Sequence, residues 1–237
     1  ALSAVAAPIL ETSGSKRMAI EVARRFGADE PLFWGGAVVY DEALKKRTLS
    51  EGLKRRIDGH SSLTVIDEFL QTFGGGGRRK DFLSEMIYIE LRLRLPELLL
   101  TRIDKITMAN SIEARVPFLD HHFVEYALGI PRDLKVVGKT GKHILKRALE
   151  PVLPHDLLYA QKRGFGAPLR EWFRAGLGEL FEEHVMRSTM VSREFFDYAF
   201  VGKMLDEHRR EKFDWSFHLW ALLNLSMWYE RWIDPKR

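Results

Sequence analysis

The 237 residues carry 46% apolar, 11% aromatic and 30% charged side chains, an ordinary globular profile that excludes a collagenous, low-complexity or disordered chain. Zero cysteines exclude disulfides, thiolate metal sites and a cysteine nucleophile within these residues, and no apolar run reaches the ~18 residues of a membrane-spanning helix. The net charge of +4 is unevenly placed: between Arg132 and Arg174 ten Lys/Arg stand against four Asp/Glu, which reads either as a solvated basic face or as a site for an anion such as a polyphosphate.

The first ten residues, ALSAVAAPIL, have no basic stretch ahead of their apolar ones, so they do not read as a secretory leader. The missing Met suggests a piece of a longer protein. Met18, Val22 and Phe26 recur at four-residue spacing and predict a short amphipathic helix. Another helix is expected across the charge-laced stretch 41–56. A third is expected over 63–73, with Val65, Phe69 and Phe73 lining one face. It stops at Gly74–Gly77, where backbone entropy opposes helix. Arg78-Arg79-Lys80 follows, but a Walker loop needs glycine directly before Lys-Ser/Thr, so this glycine run reads as a spacer.

From Asp81 an apolar helical stretch is expected to end near Leu95 and to restart at Pro96, whose ring removes a donor. Later prolines divide the middle into short helices, with candidates at 142–149 and 171–183. The closing WSFHLWALLNLSMWYERW reads as core, its tryptophans packed among leucines. Strand candidates are confined to 37–40 and 134–137. The expectation is a mainly α-helical chain.

The chemistry-bearing residues lie from Leu98 to Trp172. Asp104-Lys105-Ile106-Thr107-Met108-Ala109 leads into Ser111-Ile112-Glu113-Ala114-Arg115-Val116-Pro117-Phe118-Leu119-Asp120. Taken alone, Asp104, Glu113 and Arg115 read as a structural ion-pair cluster. Gly141-Lys142-His143-Ile144-Leu145-Lys146 follows, then Leu153-Pro154, then Gln161-Lys162-Arg163-Gly164-Phe165-Gly166-Ala167-Pro168 and Trp172.

This order and spacing resembles the C-terminal, ATP-using domain of glutamine-dependent asparagine synthetases, across about seventy-five residues in four blocks. The resemblance implies a mainly helical fragment of an α/β parent domain: a parallel-sheet ATP pyrophosphatase fold of the adenine-nucleotide α-hydrolase type. Residues 1–40 would end its ATP/pyrophosphate region and 80–237 form its helical substrate side. The implied activity joins aspartate and glutamine-derived ammonia through β-aspartyl-AMP, with ATP and Mg²⁺.

Carried residue by residue, Lys162 is the implied catalytic cation on the phosphates. Gly27, Asp29 and Lys142 join it at ATP and pyrophosphate, and Asp29 is the implied Mg²⁺ ligand. Asp104, Glu113 and Arg115 form the implied substrate-side or structural cluster, and Asp120-His121-His122 is an ordinary form of the block rather than a metal site. Gly27-Ala28-Asp29-Glu30 departs from the family pattern, because Phe26 stands where the catalytic glutamate is expected. Either the base is lost or a loop is absent between Phe26 and Gly27.

The pyrophosphate loop and the cysteine-dependent glutaminase half are missing from these residues. They are the implied partners, and the chain alone is expected to be inactive. A related β-lactam-forming or amidotransferase synthetase acting on another acid, or an inactive helical module, stays open. So does a homodimer. Cytoplasmic location is implied, with no nucleic-acid and no membrane partner: the C-terminal tryptophans sit among leucines rather than interleaving with arginines.

Overall fold

The structure is a computed structural model that describes residues 23, 25–27, 38–57, 60–74, 81–161 and 166–234. The chain divides into two compact units, residues 1–37 with 63–163, and residues 38–62 with 164–237. Residues 25–27 are helical, as the Met18–Phe26 spacing predicts. Residues 38–40 are not strand, against expectation.

In the second unit the stretch expected as one helix is two, α1 (Glu42–Thr48) and α2 (Glu51–Arg56). Each begins at a side chain that accepts an otherwise orphan amide. Asp41 takes the Leu44 N–H at 2.7 Å and Ser50 takes that of Leu53 at 3.0 Å. The break between them serves a long-range pairing. Leu49 bridges Phe196, Ser50 N–H donates to the Phe195 carbonyl at 3.2 Å, and Asp197 N–H donates to Thr48 at 2.8 Å.

The first unit starts with α3 (Leu63–Gly74). Its buried residues are Leu63 and Ile66; of the Val65–Phe69–Phe73 face, Val65 is exposed while Phe69 and Phe73 are half-buried. Phe73 stacks on Tyr88 of α4 (Phe82–Ile89) with centroids 4.9 Å apart. Asp81 caps α4 through Ser84 N–H.

Contrary to the expected break at Pro96, a π-helical segment, Glu90–Leu100, runs through it into α5 (Thr101–Met108). The wider i→i+5 turn explains how the ring is tolerated. Thr101 donates to the Pro96 carbonyl with both its backbone N–H and its hydroxyl, the latter at 2.8 Å.

A 3₁₀ turn at Pro117–Leu119 and the Asp120 cap lead into α6 (His121–Gly129). Then come α7 (Arg132–Lys135), a hairpin of β1 (Val136–Val137) and β2 (Thr140–Gly141), α8 (His143–Leu149) and α9 (His155–Leu158). The register pairs Val136 with Gly141 and Val137 with Thr140, around a turn where Gly138 takes φ 57°. Of the strand expected at 134–137, only its second half forms. This hairpin is the sole sheet among the described residues; they do not form the parallel sheet implied by the resemblance.

The second unit resumes with α10 (Leu169–Arg174) and α11 (Gly176–Phe181), broken at Ala175 where one helix was expected. A π-helical turn, Glu182–Met186, follows. Next are α12 (Thr189–Ser192), α13 (Tyr198–Arg209), capped by Asp197, and α14 (Ser216–Trp232). Phe173, Phe181, Val185, Val201, Met204 and Leu219 are fully enclosed here, and Leu44 of α1 is buried in the same core. Gly178 is required by close packing, since a Cβ there would lie 2.5 Å from the Phe173 carbonyl.

The expectation that the C-terminal tryptophans are core holds for Trp215 alone. Trp220, Trp228 and Trp232 are exposed, because the buried face of α14 is its Leu219, Leu222, Leu223 and Ser226 side.

Candidate functional site

Of the motif residues that the structure describes, those from Asp104 to Gln161 lie in the first unit, and Gly166, Ala167, Pro168 and Trp172 lie in the second. Helix α5 carries Asp104 on an exposed surface. Its C-terminus is closed locally: Thr107 Oγ1 donates to the Ile103 carbonyl at 2.9 Å, and Asn110 Nδ2 donates to Ile106 at 2.9 Å. Ser111, at φ 58°, turns the chain out of the helix.

The extended segment that follows presents Glu113 and Arg115 side by side. The guanidinium meets the carboxylate with two parallel contacts of 3.3 Å. Their side chains are 70% and 83% exposed, so this pair is screened and contributes about 0–1 kcal/mol to stability. Asp120 closes the block by accepting the Phe123 N–H at 3.2 Å.

Lys142 sits at the junction of β2 and α8 in the left-handed region, φ 55° and ψ 34°. Its ammonium is exposed. Among the described residues no hydrogen bond or ion pair joins it to Asp104, Glu113 or Arg115. Of these candidates, Glu113 and Arg115 are the two that a hydrogen-bonded ion pair joins among the described residues. Gly27 is helical and exposed, with open space where a Cβ would stand. Asp29 and Lys162 lie outside the described residues.

One cluster escaped the sequence reading. Tyr159 Oη donates to Glu150 at 2.8 Å, Arg147 pairs with the same carboxylate at 2.8 Å, and Lys146 lies 5.0 Å over the Tyr159 ring. His155 stacks on that ring at 4.4 Å. The Tyr159 hydroxyl, then the Arg147 charge, hold the Glu150 carboxyl below its ordinary value, and the same bond raises the tyrosine. The signal was legible in the i,i+3 and i,i+4 spacing of Arg147 and Lys146 to Glu150.

The exposed side chains of Lys139 and Lys142 suit a polyphosphate by charge. The described residues hold no group of three or more His, Asp or Glu that could bind a metal ion. In the second unit a cleft of about 340 Å³ is lined by Met186, Arg187, Gly202, Asp206 and Arg209, among others, none of them in the motif blocks. No helix among the described residues is long and apolar enough to cross a membrane.

The family model described as Asparagine synthase matches residues 22–230. The chain is 39% identical over 155 residues to "Putative asparagine synthetase [glutamine-hydrolyzing]" of Mycobacterium tuberculosis (strain ATCC 25618 / H37Rv), covering 65% of this chain and 24% of that protein. It is 30% identical over 195 residues to "Asparagine synthetase [glutamine-hydrolyzing] 1" of Bacillus subtilis (strain 168), covering 82% and 29%. With "Asparagine synthetase [glutamine-hydrolyzing]" of Rattus norvegicus it is 29% identical over 137 residues, covering 50% and 24%. The matched region thus spans about a quarter of these relatives' length. No solved structure matches.

Proposed function

The chain belongs to the asparagine synthase family, and on that premise we propose that it forms the substrate-side part of an ATP-dependent, AMP-forming amide ligase that makes asparagine. The observation that carries this reading is the match across residues 22–230, which takes in both the Asp104–Asp120 block and the region around Lys162.

In the proposed reaction a side-chain carboxylate oxygen of aspartate attacks the α-phosphorus of ATP. The bond to the bridging oxygen breaks, pyrophosphate leaves, and β-aspartyl-AMP forms. Ammonia released from glutamine then adds to the acyl carbon. AMP departs with the former carboxylate oxygen, and the nitrogen loses its surplus protons to solvent or a base.

Lys162 is the proposed stabiliser of charge developing on the departing pyrophosphate, a task suited to a compact ammonium. Lys142 offers a second cation, and Gly27 a place for close backbone approach. Asp29 is the proposed protein ligand of the Mg²⁺ that accompanies pyrophosphate. Asp104 and the Glu113–Arg115 pair shape the substrate side. The glutaminase and pyrophosphate-loop regions are proposed partners outside these residues.

A second reading, an inactive helical module, draws support from Phe26, which is helical and exposed where the family block has its glutamate. A third keeps the chemistry and changes the acceptor acid. One isotope experiment separates them in the longer protein. With [¹⁸O]carboxyl aspartate, ATP and glutamine, label transferred into AMP supports the proposal. Absence of transfer overturns it, and transfer only from a different acid replaces aspartate as the substrate.

A further inference from the structure

The cleft in the second unit has a volume of about 340 Å³, at the small end of ligand-binding cavities. One wall is the π-helical turn Glu182–Met186 with Arg187 directly after it, and the other is α13. The wide turn brings Glu182, Met186 and Arg187, four and five positions apart, to the same wall, and turns of this kind are frequent at functional sites. Helix α13 answers with Gly202, Leu205, Asp206 and Arg209, whose i, i+3, i+4, i+7 spacing is one helix face.

The apolar lining is Met186, Gly202 and Leu205, and Leu205 is buried, so these residues form the floor. Glycine inside a helix is destabilising relative to alanine. Nothing in the fold requires one here: Gly202 is not in the left-handed region, and the atom nearest to an added Cβ is the Met186 methyl at 3.4 Å. What the missing side chain does is keep the floor open.

The rim is charged and balanced, Arg187 and Arg209 standing against Glu182 and Asp206. Arg209 donates to Glu182 Oε1, and Arg210 Nε pairs with Asp206 Oδ1 at 2.7 Å. Each pair occupies one carboxylate oxygen, which leaves Glu182 Oε2 and Asp206 Oδ2 without a hydrogen bond among the described residues. Arg187 is exposed, and among the described residues its guanidinium has no carboxylate partner.

We propose that this cleft, apart from the motif blocks, binds an α-amino acid with a medium-sized apolar side chain. The Arg187 guanidinium takes the carboxylate through its planar fork. The ammonium has three donors to place, and the spare oxygens of Glu182 and Asp206 accept them. The aliphatic side chain covers the floor. The balance of charge selects this class: two carboxylates at the rim oppose a polyphosphate, two guanidinium groups oppose a polyamine, and a zwitterion meets both signs. This inference does not rest on the proposed reaction and is tested by binding alone.

Equilibrium dialysis of radiolabelled leucine against the longer protein that carries these residues reads the site directly. Saturable binding at up to millimolar leucine is expected, weakened about tenfold or more by Arg187→Ala, the effect of losing one charged hydrogen-bond partner. Isocaproate, which lacks the ammonium, and isopentylamine, which lacks the carboxylate, should each compete about tenfold less well than unlabelled leucine. Gly202→Leu fills the floor and should abolish binding. Where that variant fails to fold, Arg187→Ala, on the surface, decides the matter. No saturable binding, binding indifferent to Arg187→Ala, or competition by either analogue equal to that of leucine overturns the proposal.

Discussion

Trp215 donates its backbone N–H to Nδ1 of His208 at 3.1 Å, and the other ring nitrogen of that histidine lies 3.0 Å from the Arg170 carbonyl. An N–H can donate only to an unprotonated nitrogen, so Nδ1 is bare and Nε2 carries the proton given to Arg170. The ring is wholly buried and ties α10, α13 and the start of α14 together. His208→Phe keeps the bulk and strands a buried amide and a buried carbonyl, each worth about 1–3 kcal/mol. Urea unfolding followed by tryptophan emission should show a loss of about 2–4 kcal/mol, with His208→Gln, which can still donate to Arg170, losing less.

Two glycines on adjoining helices should respond oppositely to the same change. Gly178→Ala would set a methyl 2.5 Å from a backbone oxygen, which must shift, and the expected net cost is about 1–3 kcal/mol. At Gly202 the nearest atom is the flexible Met186 methyl at 3.4 Å. There alanine should be neutral or stabilise by up to about 1 kcal/mol through helix propensity. Thermal unfolding of both variants checks the contrast.

Asp120 ties the motif block to α6 by accepting the Phe123 N–H. Asp120→Ala should cost about 0.5–2 kcal/mol, and Asp120→Asn much less, since the amide oxygen caps nearly as well. Hydrogen exchange at Phe123 and Val124 reads this locally.

Glu150 accepts from Tyr159, whose hydroxyl holds the carboxyl below its ordinary value. Its charged form is therefore favoured by folding. That contribution is present above the ordinary glutamate range and is lost as pH falls through the depressed folded value. Tyr159→Phe removes the largest lowering cause and should move the Glu150 titration upward toward 4.5, as a carboxyl-carbon NMR titration would record. An unchanged midpoint would refute the assignment.

The capping side chains went unread in the sequence, although a cap needs only its own residue and an amide two or three positions on. Asp41, Ser50, Asp81, Asp120 and Asp197 all act this way. Pro96 misled, since local propensity says that a proline ends a helix but not that a π-helical turn can carry the chain past it. The single helix expected over 41–56 failed for a non-local reason: Leu49 pairs with Phe196, about 150 residues away. The outward tryptophans of α14 show the same limit, as composition tells that a side chain is apolar but not which surface covers it. The chemistry was carried by the order of four motif blocks. Geometry adds the Glu150–Tyr159–Lys146 cluster, of which only Lys146 lies in a block.

The central claim is tested most directly by ATP–pyrophosphate exchange in the longer protein that carries these residues. The account predicts exchange that depends on aspartate and is abolished by Lys162→Ala, with glutamine hydrolysis left largely intact. Exchange that persists in the Lys162→Ala variant, or that never responds to aspartate in the parent, would contradict it.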